Sequence, residues 1–190
     1  AADNYKASAD VADFLIDAGH RHLLLHGATR VSKAVRTRVE GFTDRARERA
    51  PGVRIDKQVS DDDLDTQRHL IRDYFDGHVA AKRPTAAFSL SQHSTLLVLS
   101  ELRRRGIRVP EDIALVGFDD AEWMQTTWPT ITAVAQPVPI LATRALAALL
   151  ARVEGRNTGF PAQHLESCMI MVRQSAGAES VPSRHSLQGI

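Results

Sequence analysis

Four groups of polar residues interrupt the apolar runs of this sequence, and their types suit recognition of a small hydroxylated molecule. They are Gly27-Ala28-Thr29-Arg30, Ser60-Asp61-Asp62-Asp63, Ser91-Gln92-His93 and Asp119-Asp120. Together they offer carboxylates, hydroxyls and an amide, with Arg38 close behind the first group. Carboxylates and guanidinium groups make directional, bidentate hydrogen bonds to vicinal hydroxyls. Trp123, three residues beyond the aspartate pair, adds an indole whose flat face suits a sugar ring. Each group also has a structural reading. Asp119 and Asp120 would serve as solvated loop residues or a helix cap, and the run from Asp61 to Asp63 as the acidic start of a helix.

Catalytic chemistry has less support. There is no Gly-x-Ser-x-Gly elbow, no Gly-x-x-x-x-Gly-Lys-Ser/Thr phosphate loop and no Gly-x-Gly-x-x-Gly dinucleotide turn. No His-Glu-x-x-His pair occurs, and His20 and His22 at a helix-to-strand turn make a poor metal site. Asp119 and Asp120 are adjacent, so on an extended chain they point to opposite faces and do not converge on one substrate atom. The single cysteine, Cys168, excludes an intramolecular disulfide and a multi-cysteine zinc site, and its apolar surroundings mark it as a core residue. The sequence therefore predicts no catalytic residue, no metal and no cofactor.

The totals point the same way. Lys and Arg number 24 against 23 Asp and Glu, a formal net charge of +1, so there is no global basic field to drive nonspecific nucleic-acid binding. The local clusters, Arg103-Arg104-Arg105 and the series Arg36, Arg38, Arg45, Arg47 and Arg49, fall on predicted helices as solvated faces. No apolar run reaches membrane-spanning length and no signal-peptide pattern is present, so the expectation is a cytoplasmic protein without membrane contact.

The elements that must position these residues read as alternating helices and strands. Helical spacing predicts a first helix over residues 4–18, then a buried strand at Leu23-Leu24-Leu25. A helix from Ser32 to Ala50 follows, ended by Pro51-Gly52, then an alternating strand through Val53, Ile55 and Val59. A third helix carries Leu64, Ile71, Tyr74, Phe75 and Val79. A strand from Thr85 to Leu90 leads to a helix that ends at Arg105. That helix has Leu96, Leu97, Leu99 and Leu102 on more than one face, which suggests that it packs against another subunit as well as the sheet. The unbroken apolar strand Ile113 to Phe118 precedes Asp119. A short strand from Ile131 to Val134, a helix from Val138 to Glu154 and a strand from Gln163 to Val172 complete the order. Repeated βα units imply an α/β fold, an open parallel sheet with helices on both faces. In such sheets ligands bind beyond the carboxyl ends of the strands, where the four polar groups lie.

Several segments, in order, resemble the lactose-repressor/galactose-repressor family of bacterial transcription regulators. They are Ala18-Gly-His-Arg21, Gly27, Arg38-Val-Glu-Gly-Phe42, Val109-Pro-Glu-Asp-Ile-Ala-Leu-Val-Gly-Phe-Asp-Asp120 and Trp128-Pro-Thr-Ile-Thr-Ala-Val-Ala-Gln-Pro137. The resemblance covers about residues 3–175. It implies a periplasmic-binding-protein-like effector domain, in which two α/β subdomains close on a sugar or another small polar metabolite. By motif, Arg38 matches the arginine that holds ligand hydroxyls, Asp119 the carboxylate at its strand end and Gln136 a position facing the cleft from the hinge. Trp123 matches an aromatic found in part of the family. Ser91-Gln92 stands where the family usually has Asn-Asp; Ser91 falls at a ligand position but lacks the paired hydrogen bonds of an amide.

The resemblance further implies that residues 1–135 form a mostly complete C-terminal subdomain. Residues 136–172 supply a helix and strand of the N-terminal subdomain, and 173–190 a closing segment and flexible tail. Most of the N-terminal subdomain and the DNA-reading helix-turn-helix are expected to be absent. The expected role is effector sensing and homodimerisation in a regulator that meets operator DNA only through that absent element. The alternative is a solute-binding protein of a sugar transport system, which shares the fold.

Overall fold

Asp3 starts the first helix, its carboxylate accepting the Lys6 N–H at 3.0 Å. That helix, α1 (Asn4–Asp17), buries Ala7, Val11 and Leu15 at four-residue intervals. The chain continues through β1 (His22–Ala28), α2 (Lys33–Arg49), β2 (Arg54–Ser60), α3 (Leu64–Asp76), β3 (Ala86–Ser89) and α4 (Gln92–Arg104). It ends with β4 (Ala114–Phe118), α5 (Glu122–Thr126), β5 (Thr132–Ala135), α6 (Val138–Val153), β6 (Met169–Met171) and a 3-10 turn, Gln174–Ala176. The computed structural model describes residues 1–28, 33–60, 64–78, 83–156 and 164–177. The expectations for Thr29-Arg30, Asp61 to Asp63, Val79 and the tail after Gly177 fall outside these residues.

The strands form one six-stranded sheet in the order β2-β1-β3-β4-β5-β6, parallel except for β6, which runs antiparallel to β5. Side chains alternate along each strand, so the sheet has two apolar faces. Leu23 and Leu25 of β1 join Phe88 and Phe118 under α1 and α2. Leu24 joins Ala87 and Leu115 under α3 and α4. Burial on both faces explains the unbroken apolar runs. This is the architecture the sequence predicts. Among the described residues no helix is long and apolar enough to cross a membrane.

Two details depart from the sequence reading. Of the segment expected as one strand from Gln163 to Val172, the described residues from His164 on form a strand only at Met169–Met171, where β5 pairs it through Ala133, Val134 and Ala135. Glu166 instead bridges in parallel to Ala2. The turn after Asp120 contains α5, a helix of five residues and too short to leave a periodic signal. His22 and His26, four apart in sequence, lie on a strand. They are therefore roughly 13 Å apart and have separate partners. His22 Nε2 meets Asp56 at 2.8 Å, while His26 is fully buried, and that burial holds its imidazole neutral with its pKa lowered to about 4.

The α1–α2 packing depends on Gly41. A Cβ there would collide with the Tyr5 carbonyl oxygen and come within 2.9 Å of the Tyr5 Cα, and neither is a flexible side-chain end. On propensity alone Gly41→Ala would stabilise α2 by about 1 kcal/mol. The clash is expected to reverse the sign, to a loss of roughly 1–3 kcal/mol. Chemical denaturation measures it, and a stabilised variant would show that α1 and α2 separate freely.

Candidate functional site

At the end of β4 the chain turns sharply at Asp119, which adopts φ 67°, a left-handed conformation that aspartate tolerates better than most residues. The turn separates two neighbouring carboxylates. Asp119 Oδ1 accepts from Gln136 Nε2 at 2.5 Å, and Oδ2 lies 3.7 Å from Arg38 Nη1. Asp120 faces the other way into a two-pronged pair with Arg173, at 2.6 and 2.8 Å. Arg173 Nη1 also donates to the Ile131 carbonyl at 2.7 Å, so Asp120 ties the closing segment to β5.

Arg38, on α2, is 5 % exposed. Its guanidinium carbon lies 3.5 Å from the centroid of the Phe118 ring. Nε donates to Asn4 Oδ1 at 2.7 Å and Nη1 to the Leu90 carbonyl at 2.6 Å. Burial lowers its pKa, and the Asp119 carboxylate partly offsets that cost.

Beside these residues lies a depression of about 300 Å³, lined by Gln92, Asp119, Asp120, Ala135, Gln136 and Val138. The predicted residues Arg38, Asp119 and Gln136 are thus linked, two of them on the depression wall and the third held behind Asp119. Ser91 is engaged as the N-cap of α4, its Oγ accepting from the Ser94 N–H at 3.2 Å and donating to Ser94 Oγ at 3.0 Å. Trp123 is half-buried, packs on the α3–α4 core and is not among the lining residues.

Gln92, part of the polar group Ser91-Gln92-His93 in the sequence, follows the cap serine and is exposed in the depression. One residue of the site escaped the sequence reading: Asn4 meets Arg38 across a separation of 34 residues, which no local pattern reveals. Among the described residues no cluster of three or more His, Cys, Asp or Glu could hold a metal. The arrangement can accept and donate hydrogen bonds to hydroxyls through Asp119, Gln136 and Gln92.

The two aspartates should respond differently to loss of charge. Asp120→Asn leaves Arg173 without its counter-charge and is expected to lower stability by roughly 2–4 kcal/mol. Asp119→Asn, at a more exposed position where asparagine tolerates the same backbone, should cost under about 1 kcal/mol. Urea denaturation of the pair tests the division, and equal losses would overturn it.

Comparison with known proteins fits this geometry. The family model described as "Periplasmic binding protein-like domain" matches residues 12–176. A probable opine utilization operon repressor of Rhizobium rhizogenes is 27 % identical over 94 % of this chain and 92 % of its own length. The HTH-type transcriptional repressor CytR of Escherichia coli K12 is 27 % identical over 93 % of this chain but only 51 % of its own. The solved transcriptional regulator CelR–cellobiose complex superposes with a TM-score of 0.80 and 29 % identity, covering 92 % of this chain and 52 % of that one. The chain thus spans about half the length of CytR and of the CelR chain. These relatives are regulators, which decides between the regulator and transport readings. The chain belongs to the periplasmic binding protein-like domain family, in the LacI-type branch that supplies the effector-binding region of transcriptional regulators.

Proposed function

We propose that the chain senses a carbohydrate or similarly hydroxylated metabolite through Asp119, Gln136 and Arg38, and that it works as a cytoplasmic, non-catalytic homodimer. The observation that supports this most directly is the Arg38–Asp119–Gln136 chain of contacts at the carboxyl end of β4. A carboxylate held between a buried guanidinium and an amide offers a fixed acceptor to a sugar hydroxyl. The CelR relative was solved with cellobiose, which favours the same ligand class here. Gln92 extends the wall with an amide. Ser91 acts from its cap position, holding Gln92 at the rim, and Trp123 flanks the site from the α3–α4 side.

The cleft is half of a larger one on this reading. Residues 1–135 make one lobe, residues 136–172 belong to a second, and the segment from 173 closes back onto the first through Arg173. Helix α6 supports this division: none of its residues is buried, although Ile140, Leu146, Leu149, Leu150 and Val153 lie along it. A helix that apolar is ordinarily covered. Contact with operator DNA would rest on a helix-turn-helix outside these residues, of the kind CytR's name carries.

A thermal-shift screen of mono- and disaccharides, followed by calorimetry on any sugar that binds, tests the site. Asp119→Asn should weaken that sugar by about 10- to 100-fold, the equivalent of roughly 1–3 kcal/mol. Unchanged affinity would remove Asp119 from the site.

The dimer surface has two candidates. On α4, Leu96 is 48 % exposed, and Arg103 further along the helix donates to the carbonyl of Trp128, itself 79 % exposed. The other candidate is the bare face of α6. We favour α4, which carries an exposed apolar side chain and, two turns on, an arginine bonded beside an exposed indole. Leu96→Arg should convert a dimer to a monomer in light scattering. A dimer that survives it and is lost in Leu146→Arg would move the contact to α6.

A further inference from the structure

Three contacts fix the Arg38 guanidinium, and one differs in kind from the others. Phe118 and the Leu90 carbonyl belong to the strand ends beside the depression. Asn4 belongs to the start of α1, directly after a stretch paired with another part of the chain. There Asp3 N–H donates to the Glu166 carbonyl at 2.8 Å, and Glu166 N–H to the Ala1 carbonyl at 2.8 Å. The Asn4 side chain serves both sides at once. Its Oδ1 accepts from Arg38 Nε at 2.7 Å, and its Nδ2 donates to the Ala2 carbonyl at 3.1 Å. These two bonds fix which end of the amide is oxygen, and neither can be kept if the amide rotates.

The paired stretch leads further. The Glu166 carboxylate, 15 % exposed, meets Arg144 of α6 at 2.6 Å. A continuous series of polar contacts therefore runs from the arginine behind Asp119 through Asn4 and Glu166 to α6. A second route reaches the same helix from Asp119 through Gln136, two residues before α6 begins.

We propose that Asn4 is a positioning residue that couples the orientation of the Arg38 guanidinium to the paired segments 1–3 and 164–166, and through Glu166 to α6. Resting on the effector reading above, the inference gives that site a mechanical output. A ligand that draws the guanidinium toward Asp119 changes the Nε–Oδ1 bond. The amide then either releases Ala2 or carries it along, and α6 shifts relative to the sheet. The same linkage runs in reverse, so displacement of α6 alters how Arg38 presents its donors.

The test needs no effector, so its failure is separate from failure of the effector reading, which the Asp119→Asn titration addresses. Hydrogen exchange at the Arg38 Nε–H is read by NMR in the whole chain, for wild type, Asn4→Ala, Glu166→Gln and the double variant. The expected result is that Glu166→Gln speeds this exchange about threefold or more in wild type and adds nothing once Asn4 is alanine. Asn4→Asp, which keeps an acceptor for Arg38 but loses the donor to Ala2, should keep the Nε–H slow and also abolish the response to Glu166→Gln. It serves as well if Asn4→Ala does not fold. A Glu166→Gln effect of equal size with and without Asn4, or no effect in wild type, overturns the proposal.

Discussion

The arrangement at the cleft depends on one buried cation. A guanidinium that is 5 % exposed is costly to desolvate, and the surrounding chain is organised to offset that cost. Phe118 supplies a ring face, Leu90 a carbonyl, Asn4 an amide oxygen and Asp119 a nearby negative charge. These groups come from three separate parts of the chain: the start of α1, the residue after β3, and the junction of β4 with the turn that follows it. Arg38 can be satisfied only when those parts have assembled. The charge that prepares the site for a ligand thus also reports that the lobe is folded. It leaves Asp119 oriented and partly exposed.

The second constraint is the backbone at Asp119. An ordinary extended step would place Asp119 and Asp120 on opposite faces of β4, with one of them driven into a core. The left-handed φ breaks that alternation just after Phe118. One carboxylate is thereby directed along the cleft edge to Gln136 and the other to Arg173. Two identical side chains acquire different work because their backbones differ. Asp120 closes the lobe, and Asp119 is left with hydrogen-bonding capacity to spare.

Most of the lobe was legible in the sequence because its signals are local. Leu23-Leu24-Leu25 and Ile113 to Phe118 have no polar interruption, and only a strand covered on both faces tolerates that. The site was legible in part. Asp119 follows from its place after a buried strand, whereas Arg38 and Gln136 were singled out with the help of family resemblance. Composition cannot show that an arginine on a charged helix turns inward beneath a phenylalanine. Asn4 was invisible for a related reason: as the first residue of a helix beside a capping aspartate it looks like part of the cap. Trp123 shows the limit from the other side. An indole near a strand end suits a sugar, and α5 sets it against the α3–α4 core beside the depression instead of on its wall. A five-residue helix leaves no period from which that turn could be read.

Helix α6 sets the limit on how far this lobe explains itself. Its composition is that of a core helix, with Thr143, Arg144 and Arg152 its only polar residues between Val138 and Val153, yet none of the sixteen is buried. Burying a leucine side chain is worth roughly 2 kcal/mol, so leaving several exposed forgoes more stability than the single ion pair to Glu166 returns. Among the described residues nothing buries this helix, and the proposed second lobe or partner copy would. The helix also stands one short step from the ligand residues, since Gln136 bonds Asp119 and the helix starts at Val138. Whatever covers α6 is then mechanically adjacent to the cleft. On the proposed reading, the ligand site at the end of β4 and the uncovered apolar helix two residues beyond Gln136 are the two parts a sensor needs, a place to receive a signal and a surface on which to report it.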